Sequence, residues 1–233
     1  MRKKWLMIGL AAAALTAAAA GLVSWRTLRT LPRDRQVIDF IREPQAHAAW
    51  GLPAGQRCPG APFSMPAAGF IGYLWDDSWR PFHRHSGLDI FGGAQPGEIP
   101  IYAAYDGYLT RLPEWKSTVI LRIPSDPLQP DRQIWLYYTH MAGPQGDSLV
   151  DPAFPPGARE IPVKAGTLLG TMGNFSGTPG QPVGVHLHFS IVKDDGQGKF
   201  LDERAIANTL DPSPYLGMAL NAAQAGKEPP RCP

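Results

Sequence analysis

Histidines at positions 186 and 188 alternate with large apolar residues, which indicates a strand that presents polar groups on one face. The segment reads His186-Leu187-His188-Phe189. Side chains two residues apart on a strand share a face and lie about 7 Å apart. That is far for two ligands of one ion, so the spacing suits one metal ligand and one neighbour that reaches a metal-bound water. A polar sheet face that carries two histidines without a metal is the alternative.

Two other segments contain side chains that can bind a metal. His85 and Asp89 flank Ser-Gly-Leu, and imidazole and carboxylate are both good zinc ligands. An extended chain would hold them about 13 Å apart, so they converge only if the backbone bends, which Gly87 permits. His83 forms a competing His-x-His pair with His85. The third segment places His140 at the end of an apolar strand, which by itself is more typical of a buried structural histidine.

Taken together and in this order, the three segments resemble the lysostaphin-type (LytM-type) zinc metallopeptidases, which cut the peptide bridges of peptidoglycan. That family has the pattern H-x-G-x-D-I, then Y-x-H, then H-L-H-F, and this chain matches it at 85–90, 138–140 and 186–189. The resemblance covers about 65–216. The sequence has no HExxH segment and no G-x-S-x-G segment, which excludes a helical zincin site and a serine nucleophile elbow.

The resemblance implies a role for five residues. His85, Asp89 and His188 match the ligands of one Zn²⁺ per chain, and His140 and His186 match the two catalytic histidines that do not bind the metal. Three protein ligands leave a coordination position open, as in catalytic zinc sites. The sequence does not divide the base, acid and oxyanion roles between the two catalytic histidines.

The resemblance further implies a zinc endopeptidase that acts on peptidoglycan peptide stems outside the cytoplasmic membrane. A D-Ala to diaminopimelate bridge is the expected bond, and a polyglycine bridge stays open. The alternative is a catalytically silent protein that binds peptidoglycan and activates a separate wall hydrolase, which would make a regulatory partner part of its function. A third hypothesis is a binding module that a metal stabilises without turnover.

Residues near the motifs are candidates for binding substrate. Trp79 and Phe82 precede the first ligand segment and are predicted to line a groove, although core packing is an equal alternative. Asn174 lies in a glycine-rich turn and could contact the substrate backbone, although a turn residue that tolerates a left-handed conformation is the more usual explanation.

Short apolar runs separated by glycine and proline predict a mostly β protein, a compact antiparallel sandwich-like domain with a groove, long Pro/Gly-rich loops and few short helices. The 25 glycines and 25 prolines argue against a helical bundle. Predicted strands lie at 99–104, 107–112, 118–123, 133–140 and 185–192. Short helices are expected at about 35–42 and 202–210.

The N-terminus carries a targeting pattern. Arg2, Lys3 and Lys4 precede an uncharged stretch that ends at Trp25. This predicts a signal peptide or an uncleaved membrane anchor over 1–25. We expect a stalk over 26–60, the catalytic domain over 61–216 and a C-terminal tail over 217–233. The protein is therefore expected in the periplasm, secreted, or anchored to the cytoplasmic membrane.

The remaining composition sets two further expectations. The sequence has two cysteines, Cys58 and Cys232, and an oxidising compartment predicts a disulfide between them. Two unrelated thiols are the alternative. The formal net charge is +2 and three of the cations lie in the first four residues, so no basic surface large enough for nucleic-acid binding is expected.

Overall fold

The computed structural model describes residues 32–78, 82–93 and 95–233, together with residue 21. The predicted signal peptide or anchor over 1–25 therefore lies almost wholly outside the described residues. Among the helices in those ranges, none is both long and apolar enough to cross a bilayer.

The described chain is mostly β, as predicted. Ten strands are numbered in chain order: β1 (Phe70–Tyr73), β2 (Leu88–Phe91), β3 (Pro100–Tyr102), β4 (Gly107–Thr110), β5 (Val119–Ile123), β6 (Ile134–Thr139), β7 (Ile161–Val163), β8 (Leu168–Thr171), β9 (His186–Lys193) and β10 (Thr209–Leu210). Helix α1 occupies 32–42, α2 is Ser213–Leu216, and 3₁₀ turns occupy Ala48–Trp50 and Ile206–Asn208. All five strands predicted from apolar runs are present, with shorter ends in most cases.

One large antiparallel sheet organises the molecule. Its strand order is β1-β2-β9-β6-β5-β4-β7, with β10 added beside the C-terminal half of β9, and β3 and β8 form a separate two-stranded sheet. Strand β9 lies between β2 and β6 and is buried on both faces. Its apolar residues Leu187, Phe189 and Ile191 enter the main core. The other face of β9 therefore turns its two histidines towards a second, partly covered surface.

Part of the covering of that second surface comes from α1, which corrects the prediction of a stalk over 26–60. Val37 and Phe40 lie on one side of the helix and pack against Phe70 and Phe91 of the sheet. Farther along, Leu52 enters the main core. The described part of the predicted stalk, 32–60, is thus part of the folded domain, because its apolar side chains pack against the sheet and the core.

The C-terminal segment also differs from its prediction as a tail. Met218 and Leu220 are buried in the core, and Cys232 forms the predicted disulfide with Cys58. The helix predicted at 202–210 is instead the 3₁₀ turn Ile206–Asn208 followed by β10, because Thr209 and Leu210 pair with the edge of β9. Helix α2 begins at a Ser-Pro pair, where the fixed φ of proline suits a first helical turn.

Candidate metal centre

The central strands β2, β9 and β6 carry most of the residues that the motifs single out. Asp89 on β2 lies directly opposite His188 on β9, so the two side chains stand on the same face at cross-strand distance. On the other side of β9, His188 is opposite Thr139, and His140 follows immediately at the end of β6. The antiparallel register therefore brings three separate sequence segments to one place.

His85 reaches the same place because the backbone bends at Gly87, just before β2 begins. A Cβ atom at Gly87 would lie 2.4 Å from the backbone oxygen of Phe189, so only glycine allows this close passage against β9. The ring of His85 donates from Nδ1 to the carbonyl of Leu74 at 3.0 Å. A carbonyl can only accept, so Nε2 of the neutral ring carries the lone pair.

The three predicted ligands present their donor atoms to one another. Asp89 Oδ1 lies 3.1 Å from His85 Nε2 and 2.8 Å from His188 Nδ1, and the two nitrogens are 3.1 Å apart. A tetrahedral zinc with bonds of about 2.0–2.1 Å separates its ligand atoms by about 3.3 Å. The buried triad His85, Asp89 and His188 therefore fits a metal such as zinc in donor type and in spacing.

Burial and mutual contacts shape the charges of this triad. Burial alone would raise the pKa of Asp89, but His85, His186 and His188 hold that pKa well below its ordinary value. Burial alone would lower the pKa of His188, but its contacts with Asp89 and Glu203 raise it to about 10. Asp89 is therefore an ionised carboxylate, the form that binds a cation.

His140 and His186 stand beside the triad with their rings 4.4 Å apart between centroids. Each donates from Nδ1 to a backbone carbonyl at 2.6 Å, His140 to Phe175 and His186 to Gly184. Burial, together with the neighbouring His186, lowers the pKa of His140 to about 3, and burial also lowers the pKa of His186. Both rings are therefore neutral at pH 7, with Nε2 as a proton acceptor.

The position of His140 depends on a strained backbone. Its φ is 73°, a left-handed conformation that is uncommon outside glycine but is enriched for histidine and asparagine. Gly173 packs against this turn so closely that a Cβ atom would lie 2.0 Å from the oxygen of Ala142 and 2.5 Å from that of His140. The close packing brings Phe175 within reach, and its carbonyl orients the His140 ring.

One groove of about 810 Å³ is lined by the triad together with His140 and His186. Its walls also include Tyr73, whose ring stands edge-on to that of His85 at 6.3 Å. Val37 and Ile41 of α1 form part of the rim. The groove is open to solvent, so an extended peptide could reach the triad and both neutral histidines.

The other predicted residues have different positions. Trp79 lies outside the described residues. Phe82 is 94% exposed with a positive φ of 62° and does not line the groove. Asn174 is half-buried and also lies outside the groove lining, with its Oδ1 lacking a hydrogen-bond partner in the part of the chain that the structure describes. His83 lines the groove without joining the triad.

His47 stacks on Trp50, away from the groove. Two contributions to the site were missed in the sequence: the rim that α1 provides and Glu203, whose carboxylate lies 3.4 Å from His188 Nε2. For the rim, the sequence contains a weak signal, because Val37 lies in the apolar stripe of the predicted helix. No motif signals the second.

Comparisons with known proteins give no match to a family model and no match to a curated protein. Among solved structures, the chain is similar to LytM-type peptidases. LytM from Ruminococcus gnavus is 27% identical with a TM-score of 0.38, over 57% of this chain and 45% of that one. The chain thus spans less than half the length of that protein.

Two further structures are similar at lower identity. The catalytic domain of the prophage-encoded protein EnpA from Enterococcus faecalis is 20% identical, with a TM-score of 0.38, over 65% of this chain and 96% of that one. Lysostaphin is 18% identical, with a TM-score of 0.37, over 70% and 54%.

Proposed function

We propose that the protein is a zinc-dependent endopeptidase that hydrolyses peptide cross-links of bacterial peptidoglycan outside the cytoplasmic membrane. The observation that carries this proposal is the meeting of His85 Nε2, Asp89 Oδ1 and His188 Nδ1 within 3.1 Å of one another beside two neutral histidines. The motif resemblance over 65–216 supplies the substrate class.

His85, Asp89 and His188 would hold the metal, and a bound zinc would polarise the scissile carbonyl and make water a better nucleophile near neutral pH. His140 and His186 supply the proton transfers. Their Nδ1 atoms are committed to backbone carbonyls, so Nε2 of either ring can take the proton that the attacking water loses. The same ring can then protonate the departing amine.

The groove favours an extended peptide over a compact ligand. It is open to solvent, and its apolar rim from Val37 and Ile41 lies beside the polar floor that carries the histidines. The D-Ala to diaminopimelate bridge is the proposed bond because a disulfide and an N-terminal targeting segment suit a periplasm. One zinc per chain and a periplasmic or membrane-anchored location belong to the same proposal.

Mass spectrometry of purified cross-linked muropeptides tests the proposal. We expect the zinc-loaded protein to release products cut between peptide stems, the chelator-treated protein to release none, and added zinc to restore cleavage. His188→Ala should lose both zinc and cleavage. His186→Gln should keep most of the zinc and lose about 100-fold or more in kcat, the usual contribution of a proton-transfer group.

His47→Gln is the matched control, because this histidine stacks on Trp50 away from the groove; cleavage should be unchanged. Products cut at glycine bridges would show that the D-Ala to diaminopimelate bond is the wrong choice, while still supporting the endopeptidase activity. Zinc-loaded protein that leaves every muropeptide intact would contradict the enzyme and favour the silent activator.

A further inference from the structure

Glu203 stands behind the triad and is not part of any motif in the sequence. It follows β9 in the connection to β10, and its side chain is 18% exposed. Its Oε2 lies 3.4 Å from His188 Nε2 and accepts a hydrogen bond from the Ser86 hydroxyl at 3.2 Å. The carboxylate is thus held by the residue next to one candidate ligand and faces the ring of another.

His188 differs from His85, His140 and His186 in how its ring is held. His85, His140 and His186 each donate from Nδ1 to a backbone carbonyl. His188 turns Nδ1 towards Asp89, and among the described residues its other nitrogen meets two side-chain oxygens, Ser190 Oγ at 2.9 Å and Glu203 Oε2 at 3.4 Å. Its orientation therefore depends on these side chains.

We propose that Glu203 is the positioning residue for His188: by accepting the Nε2 proton it keeps the ring oriented so that Nδ1 faces Asp89 and is the nitrogen that binds the metal. The proposal rests on the proposed function, because it assumes that His188 is a metal ligand. A carboxylate is the strongest acceptor available for this N–H and cannot act as a donor to the ring when ionised. Carboxylate partners of metal-bound histidines commonly fix ring orientation and increase ligand basicity.

The hydroxyl of Ser190 alone would restrain the His188 ring less than the carboxylate does. A hydroxyl such as that of Ser190 can either donate or accept, so it tolerates both orientations of the His188 ring. The ionised Glu203 accepts only, and it is tied in place by Ser86. The negative charge therefore makes one of the two ring orientations more favourable, and it is the one that points Nδ1 towards His85 and Asp89.

Zinc affinity of the full chain, measured by competition with a chelator of known affinity, tests this role. Glu203→Gln keeps the size and removes the charge; we expect the zinc affinity to fall by about 10- to 100-fold. Asp202→Asn is the matched control, because the neighbouring carboxylate pairs with Arg204 at the surface. Its zinc affinity should equal that of the wild type.

Two further readouts separate positioning from a general loss of structure. The metal-free Glu203→Gln protein should still unfold in a single cooperative transition, which would show that it keeps its fold. The visible absorption of its cobalt-substituted form should change, because those bands report the ligand geometry, and Asp202→Asn should leave them unchanged. Glu203→Ala should weaken zinc binding at least as much as Glu203→Gln.

Equal zinc affinity in Glu203→Gln and the wild type would overturn the proposal and assign the restraint to Ser190. A wild-type protein that binds zinc and is weakened by Glu203→Gln, yet cuts no muropeptide, would support the positioning role while contradicting the proposed function. A wild-type protein with no measurable zinc affinity would overturn both.

Discussion

Individual side chains of the site could be predicted from the sequence, but their protonation could not. The motifs identified five residues, and all five line the same groove. The backbone carbonyls of Leu74, Phe175 and Gly184, which fix three ring tautomers, belong to residues with no recognisable pattern. Because a main-chain oxygen can come from any residue type, only the fold reveals these partners.

The neutral state of His140 predicts how stability depends on pH. Its pKa is about 3 in the folded protein and about 6.5 in an unfolded chain, so the unfolded state binds the extra proton between these values. The contribution of His140 is therefore fully present above about pH 6.5 and is lost as the pH falls towards 3. Between pH 7.5 and pH 5 the wild type should lose about 1–2 kcal/mol more than His140→Asn.

Urea unfolding of the metal-free proteins at the two pH values measures this difference. Asparagine is chosen because it tolerates the positive φ of position 140 and does not titrate. Identical pH dependence in the two proteins would mean that His140 is not buried as a neutral ring.

Gly173 and Gly143 provide a matched pair in the same loop region. A Cβ at Gly173 would lie 2.0 Å from the oxygen of Ala142, whereas a Cβ at Gly143 meets nothing closer than 3.9 Å. Gly173→Ala should therefore cost about 2 kcal/mol or more in unfolding free energy and lower the catalytic rate, because the turn that holds His140 must move. Gly143→Ala should change stability by less than about 1 kcal/mol. Equal effects in the two variants would contradict the close packing.

At the level of secondary structure, alternation and apolar runs were enough to predict β3 to β6 and β9, but not how they pair. Asp89 lies opposite His188 because β2 is next to β9 in an order that skips six intervening strands. Such long-range pairing depends on the whole chain. Helix α1 was predicted as an element, and its docking was not, because Val37 and Phe40 provide too short a stripe to reveal a partner.

The docking of α1 includes a buried ion pair that hydrogen bonds connect to the candidate metal ligand His85. The side chain of Arg33 lies 3.1 Å from that of Asp77, and both side chains are at least nine-tenths buried. The Asp77 carboxylate also accepts a hydrogen bond from the backbone N–H of Leu74. The carbonyl of Leu74 in turn accepts a hydrogen bond from Nδ1 of His85. Burial raises the pKa of Asp77 even with Arg33 beside it, so the carboxylate depends on this cation.

Arg33→Ala should therefore cost about 3–5 kcal/mol in unfolding free energy, as is usual when one partner of a buried pair is removed. Arg204→Ala removes an exposed partner of Asp202 and should cost less than about 1 kcal/mol. Denaturant unfolding at pH 7 compares the two. A similar small cost for both would show that α1 contributes little to the fold.

At the scale of the whole molecule, the two ends of the described chain are joined. Gln36 donates to the carbonyl of Lys227, Arg231 donates to that of Trp50, and the disulfide links Cys58 with Cys232. The sequence predicted the disulfide but placed its two ends in a stalk and a tail. Buried residues in both segments make them part of the domain. The hydrophobicity of short segments alone could not establish this.

The disulfide closes a loop with a sequence separation of 174 residues. In the chain-entropy model such a loop stabilises the fold by about 4–5 kcal/mol. The double variant Cys58→Ala, Cys232→Ala should lose about that much unfolding free energy and keep its zinc, since the bridge does not touch the groove. A reducing agent should destabilise the wild type and leave the variant unchanged. Equal stability of the oxidised wild type and the variant would contradict this contribution.

The central claim is that His85, Asp89 and His188, which come from two distant segments of the chain, hold one metal ion. Anomalous diffraction at the zinc absorption edge, on crystals of zinc-loaded protein, tests it most directly. We predict one strong peak per chain, bonded to His85 Nε2, Asp89 and His188 Nδ1 at about 2.0–2.2 Å, with His140 and His186 unbound beside it. A peak held by His83, His140 or His186, or no peak in this groove, would contradict it.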